Sequence, residues 1–413
     1  MKDKGISSEI SLYCRWLGIY IVLLIVGAMN IGIFGSLLKL LAIVPIGIWL
    51  LFKRSFKRNR LLRVSGIYVL FCIASCLWSI NQGVSAGRSI SQINFLILLC
   101  SVSGYTYNSN EVDYLKKCLI WSSRVTAIVV LISADYYEGR IYLKGIIQED
   151  PNYLCAYFLF AMIFCIIVLL QENSIKVKLI STIELIVYVY IVIGTGSRGG
   201  ALAIVAASII AFLFYRDGTK LIISSLIKRI LLVILVFITL TVIASYISTD
   251  ILSRFSLATL STSSGTGRYD IWESAMNAFN ESSFLRQLFG YGTGSAVSIT
   301  YLFPFPYHLV FHNMFIESLL EIGVIGAVIY IVFVLSFVFE ALKCKDVYCA
   351  AILIGMIVLS LSISISVFKP YWNIMIYTLV LSLSNNHIGS QGFANQISKE
   401  ESKHESFGNN PLL

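Results

Sequence analysis

Ionisable and amide side chains gather where a long polar segment ends and an apolar segment begins. His312 and Asn313 follow a proline-containing stretch, and Glu317 and Glu321 follow within the apolar segment. A neutral imidazole accepts a hydroxyl proton near neutral pH, so His312 is a candidate catalytic base at the first turn of a helix. The alternative role for His312 is a hydrogen-bonded histidine that caps this helix.

The four-residue spacing of the two glutamates places them on the same face of that helix. With a helix rise of about 1.5 Å per residue, we expect Glu317 and Glu321 about one and two turns inside the bilayer. Carboxylates at membrane depth are costly and usually face a cavity or a charged partner. We therefore expect them to orient His312 or to pair with an arginine.

Two arginines are candidates for holding a phosphate. Arg198 lies in the glycine-rich turn 194–200, just before an apolar segment, and Arg268 precedes a second helical pattern. Helix N-termini favour anions, and the guanidinium fork suits phosphate oxygens. The alternative roles are a tight turn whose arginine reaches lipid headgroups, and an interfacial anchor.

An apolar stripe follows Arg268 at helical spacing. This pattern predicts a helix that lies on the membrane surface with its tryptophan at the interface. The stripe consists of Ile271, Trp272, Ala275, Met276 and Phe279.

A metal site and an ATP site are not favoured. His308 and His312 have the i, i+4 spacing of metal ligands, but Pro304 and Pro306 argue against a helix there, and no cysteine or carboxylate triad completes the set. The turn at Arg198 lacks the Gly-Lys-Ser/Thr ending of a nucleotide-binding loop. We expect neither a metal nor another cofactor.

The composition is that of an integral membrane protein. Of 413 residues, 57% are hydrophobic and 13% are charged, whereas soluble proteins carry roughly a quarter charged residues. The net charge of +9 comes from basic residues placed between apolar segments, where they act as topology signals. We therefore expect membrane lipids, and not nucleic acid, as partners.

The chain is predicted to be an all-α polytopic membrane protein with about twelve transmembrane helices, each near the roughly 20 residues that a bilayer requires. One membrane domain covers 1–385, a large extracytoplasmic loop with short helices covers 248–312, and a polar, disordered cytoplasmic tail covers 386–413. The predicted spans are 14–32, 35–52, 64–80, 89–107, 117–135, 152–170, 178–194, 199–215, 229–247, 313–339, 347–366 and 370–385.

Basic residues orient these spans, because they fall in every second connection. Both termini are then cytoplasmic, and the connections 136–151, 194–199 and 248–312 lie outside. No cleavable signal peptide is evident, so we expect a multi-pass protein of the cytoplasmic (inner) membrane with its candidate site on the extracytoplasmic face. Arg124 and Glu184, nearer the cytoplasmic side, are candidate structural ion partners.

An ordered set of motifs resembles the O-antigen ligase and polymerase family of membrane glycosyltransferases. The set consists of Asp150-Pro151-Asn152, Ser197-Arg198-Gly199-Gly200, Gly267-Arg268-Tyr269-Asp270-Ile271-Trp272, and His312-Asn313 with Glu321-x-Gly323. The motifs cover about 150–326, and the topology extends the resemblance to the rest of the chain.

The resemblance implies an all-α, GT-C-like glycosyltransferase that moves a glycan from undecaprenyl diphosphate to an acceptor, without metal. Arg198 and Arg268 match the family's diphosphate-holding arginines, and His312 matches its histidine near the acceptor. Asn313 and Glu321, in the same motifs, are predicted to bind substrate. The long loop is shorter than in the ligase with which we compare it, which leaves the acceptor open.

The functional hypothesis is a polysaccharide polymerase that transfers glycan onto the hydroxyl of another lipid-linked repeat. Such a donor is already activated, so the enzyme must stabilise the leaving group and deprotonate the acceptor. The alternative within the class is an O-antigen ligase that uses a lipid A core acceptor, and the alternative from another class is a flippase for the same lipid-linked sugar. A chain-length regulator protein is a further candidate partner.

Overall fold

The computed structural model describes residues 9–23, 42–52, 58–137, 140–143, 151–172, 174–214 and 268–384. These residues are helical apart from one β-hairpin and the connecting turns, which confirms the all-α prediction for the described part of the chain. The predicted span at 229–247 and the predicted disordered tail lie outside the described residues.

The helices before the long loop alternate with short connections. In chain order they are α1 (Leu12–Val22), α2 (Ile43–Phe52), α3 (Arg60–Ser75, continued by a 3₁₀ turn Cys76–Trp78), α4 (Gln82–Ser103), α5 (Ser109–Ser133), α6 (Pro151–Gln171), α7 (Ile175–Gly194) and α8 (Arg198–Phe214).

Three short helices precede the last long ones. They are α9 (Arg268–Glu281), α10 (Phe284–Phe289) and α11 (Ala296–Ile299), and they are followed by α12 (Met314–Lys343), α13 (Val347–Ser360) and α14 at 369–384. Short helices within the long loop were predicted, and α9 to α11 confirm them.

Four of the described helices are long and apolar enough to cross a membrane: Arg60–Trp78, Pro151–Gln171, Ile175–Gly194 and Met314–Lys343. Four shorter apolar helices accompany them. The chain is thus a multi-pass membrane protein by these criteria, while the number of twelve spans stays a prediction. The main core lies around α6, which packs against α5, α7, α8 and α13.

A two-stranded hairpin was not predicted. Strands β1 (Ala134–Tyr137) and β2 (Arg140–Leu143) pair antiparallel, with Ala134 opposite Leu143. Their tyrosines and isoleucine have high strand propensity, but four-residue strands are too short for a clear alternating pattern. The hairpin packs on the end of α7, where Ile141 fills the space beside Gly194.

Helix α13 ends at Ser360, six residues before the predicted boundary at 366. Ser362 Oγ donates to the backbone oxygen of Leu359 (3.0 Å), and Ser360 Oγ donates to that of Ile357. Serine side chains compete with backbone groups for hydrogen bonds and so favour helix ends. Residues 361–368 form turns, and the chain becomes helical again at 369 with Pro370 in the first turn, where proline is tolerated.

Helix α12 is kinked at Gly323, whose φ of 69° and ψ of −177° are not helical. Glycine reaches this backbone region without a steric penalty. The kink divides α12 into a first segment, 314–322, and a second segment, 324–343.

The predicted membrane-surface placement of the α9 stripe is wrong for Ile271 and Ala275, which are buried inside the protein. Ile271, Ala275 and Ala278 are buried in a second core with Phe311 and Leu320. Trp272 and Phe279 pack against the same core, while Met276 is exposed. The apolar face of α9 therefore covers the first segment of α12 and not a lipid surface.

The predicted partnership of Arg124 and Glu184 is confirmed. Arg124 Nη2 lies 2.9 Å from Glu184 Oε1, and both side chains are partly buried. Cys165 Sγ also contacts Glu184. This ion pair ties α5 to α7 and takes no part in the candidate site.

Candidate functional site

The turn that leads to Arg198 is held by Asn152, the last residue of the Asp-Pro-Asn motif. Ser197 Oγ accepts a hydrogen bond from Gly200 N (2.9 Å), so it caps α8. The same hydroxyl donates to Asn152 Oδ1 (2.5 Å), near the start of α6. Gly196 has a φ of 59°, which closes the turn. Arg198 is thereby placed as the first residue of α8, at a helix N-terminus.

Close packing explains why glycine occupies both positions after Arg198. A methyl group at Gly199 would overlap Ser362, and one at Gly200 would overlap Cys155. The start of α8 is therefore packed closely between α6 and the turns after α13.

A third arginine lies over the same turn. Arg140, on β2, donates from Nε to the backbone oxygen of Thr195 (2.7 Å), between the end of α7 and Ser197. Arg140 is not among the predicted site residues. The signal that was available is a basic residue in the predicted extracytoplasmic connection 136–151, against the usual charge distribution.

His312 and Asn313 lie at the start of α12. Asn313 is the N-cap, and its Oδ1 accepts from Phe315 N (3.0 Å) and Ile316 N (3.3 Å). His312 thus stands just before the helix and not in its first turn as predicted. Its φ of 51° is uncommon for a residue with a side chain, and such backbone conformations cluster at functional sites.

Helix α9 is joined to the residue before His312. Trp272 Nε1 donates to the backbone oxygen of Phe311 (2.8 Å). Arg268 begins α9 one turn earlier, roughly 6 Å along the helix axis. The contact between α9 and Phe311 therefore lies one helical turn from Arg268 and one residue from His312.

Glu321 holds the loop between α10 and α11. Its Oε2 accepts from Gly294 N (2.8 Å) and its Oε1 accepts from Ala296 N (3.0 Å). Its backbone oxygen accepts from Gly292 N (2.7 Å). The carboxylate of the buried Glu321 therefore bonds to Gly294, in the glycine-rich loop 290–294, and to Ala296, at the start of α11. Its predicted contact with substrate stays a prediction.

Arg88 is a charged partner of Glu317 and Glu321 that the sequence pattern does not predict. It lies on α4 and interacts electrostatically with both Glu321 and Glu317, and its Nη1 donates to Ser366 Oγ (3.3 Å). A methyl group at Gly294 would touch the Arg88 stem, so the glycine-rich loop lies directly against this arginine. The available signal was a lone arginine near the predicted extracytoplasmic end of a span.

Turns 361–366 connect the two halves of the site. On one side, Ser362 packs against Gly199 at the start of α8. On the other side, Ser364 Oγ donates to the carboxylate of Glu317, in the first segment of α12. Tyr153 Oη donates to the backbone oxygen of Ser364 (2.7 Å), which adds α6 to the same junction. The start of α8 and the start of α12 are therefore held by neighbouring residues.

His308 has contacts within its own loop. Its ring stacks on Tyr301 with centroids 4.0 Å apart, and its Nδ1 lies 3.3 Å from Thr300 Oγ1. Residues 306–313 are not helical, so the i, i+4 spacing does not place His308 and His312 on one helix face. In the described ranges, no three His, Cys, Asp or Glu side chains group as metal ligands. Metal-independent chemistry stays a prediction.

These features define a class: an α-helical multi-pass membrane protein in which arginine, histidine and carboxylate side chains lie at the helix ends where α8 and α12 begin. Residues 183–331 match the family model Wzy_C, described as O-antigen ligase. The matched segment contains every predicted site residue: Arg198, Arg268, His312, Asn313 and Glu321. This match supports the resemblance to the O-antigen ligase and polymerase family over the matched segment. No curated protein matches the chain.

Proposed function

We propose that the protein is a polysaccharide polymerase. It transfers a glycan from undecaprenyl diphosphate to the hydroxyl of another lipid-linked repeat, at the extracytoplasmic face of the cytoplasmic membrane. The family match supports membrane glycan transfer of the ligase or polymerase type. A lipid-linked donor is the natural one there, because nucleotide sugars are not available outside the cytoplasm.

In this proposal Arg198 and Arg268 stabilise the leaving diphosphate. The bond between the anomeric carbon and the diphosphate oxygen breaks, and negative charge develops on the leaving group. Arg198 supplies its guanidinium together with the N-terminus of α8, where backbone N–H groups favour an anion. Two forked cations replace the metal that other glycosyl transfers require.

His312 is the proposed base. As the acceptor hydroxyl oxygen bonds to the anomeric carbon, His312 takes the hydroxyl proton. The capping side chain of Asn313 and the bond between Trp272 and Phe311 support its backbone on both sides. A base that is held from both sides is pre-organised for this proton transfer.

Glu321 and Asn313 contribute by shaping the substrate-binding surface. Glu321 holds the glycine-rich loop, and Asn313 fixes the start of α12. Glu321 already uses both carboxylate oxygens for backbone bonds, and Asn313 uses its one amide oxygen, so we assign these two side chains a positioning role in the substrate-binding surface.

The observation that carries the proposal is the junction at Ser362 and Ser364. It connects the helix that begins with Arg198 to the helix that begins next to His312. A donor-binding turn and an acceptor-activating histidine need such a connection, because the leaving group and the nucleophile must meet within a few ångströms.

The direct test is glycan transfer by the purified protein with a defined lipid-linked repeat, in the presence of a chelator. We expect polymers of increasing length, with the chelator having no effect. Absence of any elongated product would contradict the proposal, and loss of activity with the chelator would contradict the metal-independent mechanism.

The ligase and the flippase are distinguished by different results. Loss of a polymerase leaves single capped repeats, whereas loss of a ligase leaves long chains on the carrier lipid. The family description favours the ligase as the second candidate. A flippase forms no new glycosidic bond, so product in the purified assay excludes it as the sole activity.

A further inference from the structure

Helix α10 has its polar and apolar sides reversed relative to a water-exposed helix. Arg286 donates from Nη1 to the backbone oxygens of Trp78 (2.8 Å) and Gly290 (3.1 Å), so this cation points into the protein. Gln287 Nε2 likewise donates inward to the backbone oxygen of Phe279 (3.0 Å). Phe284 and Leu285, in contrast, are 71% and 66% exposed.

The exposed apolar stripe of α12 begins at its kink. No large apolar side chain of the first segment, 314–322, is strongly exposed, because helices α9 to α11 cover this segment. From Val324 onward such side chains recur along one side of the helix. The second segment, 324–343, is roughly 30 Å long and can span the hydrocarbon core alone. The exposed side chains are Val324, Ile325, Val328, Ile331, Val332, Leu335, Phe339 and Leu342.

Helix α10 lies at the level of this kink. A methyl group at Gly323 would overlap the backbone oxygen of Leu288, so the two backbones touch. Trp78 Nε1 donates to the backbone oxygen of Phe289 (3.0 Å), and tryptophan is enriched at membrane interfaces. Leu77, next to Trp78, is 81% exposed. The apolar surface is therefore continuous from the second segment of α12 to α10.

We propose that the boundary between lipid and water lies at the level of Gly323. Phe284 and Leu285 then insert into the lipid leaflet next to this boundary. Glu321 and Glu317 then lie about 3 Å and 9 Å on the water side of the boundary, by the helix rise. This differs from the bilayer depth expected from the sequence. It also accounts for the inward polar groups of α10, because the lipid side requires apolar side chains.

Photo-crosslinking of the full-length protein in phosphatidylethanolamine vesicles tests this proposal. The photoreactive residue p-benzoylphenylalanine is introduced in turn at Phe284, Leu285, Val328 and Asn277. Val328 is the lipid-facing control, and the exposed polar Asn277 on α9 is the water-facing control. We expect lipid adducts from Phe284 and Leu285 at the yield of Val328, and at least about fivefold above Asn277. Yields equal to that of Asn277 would overturn the proposal.

A conservative variant provides a second measurement. The Phe284→Trp variant carries one additional tryptophan. The difference in fluorescence between the variant and the parent protein reports on residue 284, and we expect brominated lipid, but not aqueous iodide, to quench it. Quenching by iodide alone would place residue 284 in water and overturn the proposal. Neither result depends on glycan transfer, so the boundary is tested separately from the proposed function.

Discussion

The indole of Trp272 donates a hydrogen bond to the backbone oxygen of Phe311, 2.8 Å away. This bond joins the helix that begins with Arg268 to the residue before His312. Since the connection on the other side of His312 is the Asn313 cap, the backbone of His312 is held on both sides. The candidate site thus depends on contacts that are not themselves catalytic.

Replacing Trp272 with phenylalanine tests this contact. The ring remains to fill the second core, but the N–H donor is lost, and a net hydrogen bond contributes about 1 kcal/mol. If that energy serves to place His312, transfer falls about fivefold. The measurement is the rate of transfer from a lipid-linked repeat, with Trp121→Phe, on the distant α5, as the matched control. Equal rates for both variants would argue against a positioning role.

Arg198→Lys should lower transfer although the charge is retained. A lysine ammonium cannot form the two parallel bonds of a guanidinium. Loss of one donor to a developing negative charge costs on the order of 10²-fold in characterised enzymes, so we expect a fall of about tenfold to hundredfold. Arg60→Lys, at the exposed start of α3, is the matched control. Full activity of Arg198→Lys would remove Arg198 from the diphosphate site.

His312→Ala should abolish glycan extension and leave the protein folded in the membrane. General base catalysis contributes roughly 10² to 10⁴-fold, so transfer should fall by at least about a hundredfold. His308→Ala, four residues earlier in the same loop, controls for the loss of an imidazole. Size-exclusion chromatography checks that His312→Ala elutes like the parent protein. If the variant does so and remains active, the protein has a non-catalytic assembly role instead.

Glu321→Gln should destabilise the protein. The glutamine amide has a single acceptor oxygen, so either Gly294 N–H or Ala296 N–H loses its partner. Arg88 also loses its electrostatic interaction with the Glu321 carboxylate. Leaving a buried N–H group without an acceptor costs about 1–3 kcal/mol. Thermal unfolding in detergent should show a lower midpoint for Glu321→Gln than for Glu273→Gln, which changes an exposed residue on α9. An unchanged midpoint would mean that the glycine-rich loop does not depend on Glu321.

Ser364→Ala tests the junction between the start of α8 and the first segment of α12. It removes the hydroxyl that donates to Glu317 and leaves a buried carboxylate less satisfied, at a cost of about 1–3 kcal/mol. Ser360→Ala removes a hydroxyl that bonds only within its own helix turn, and it should be milder. Transfer and thermal unfolding are measured for both. The junction is unimportant if the two variants behave alike.

The sequence alone determined the class of protein and the motifs. Apolar segments of spanning length require a membrane whatever their arrangement, because backbone groups in lipid must bond within their own helix. The turn at Arg198 could also be predicted, since glycine and serine at a helix start have local conformational causes. Likewise Arg124 and Glu184 stood out because charges inside spans need partners.

Only the tertiary structure decided how the parts meet. Arg88 and Ser364 are separated from Glu321 and Glu317 by tens to hundreds of positions along the chain, and no local pattern pairs them. Side-chain periodicity showed that α9 has an apolar face, but not whether protein or lipid covers it. Local propensity determines which helices form, whereas long-range packing determines which of their side chains share a site. In this protein that packing links the start of α8 to the first segment of α12 through Ser362 and Ser364.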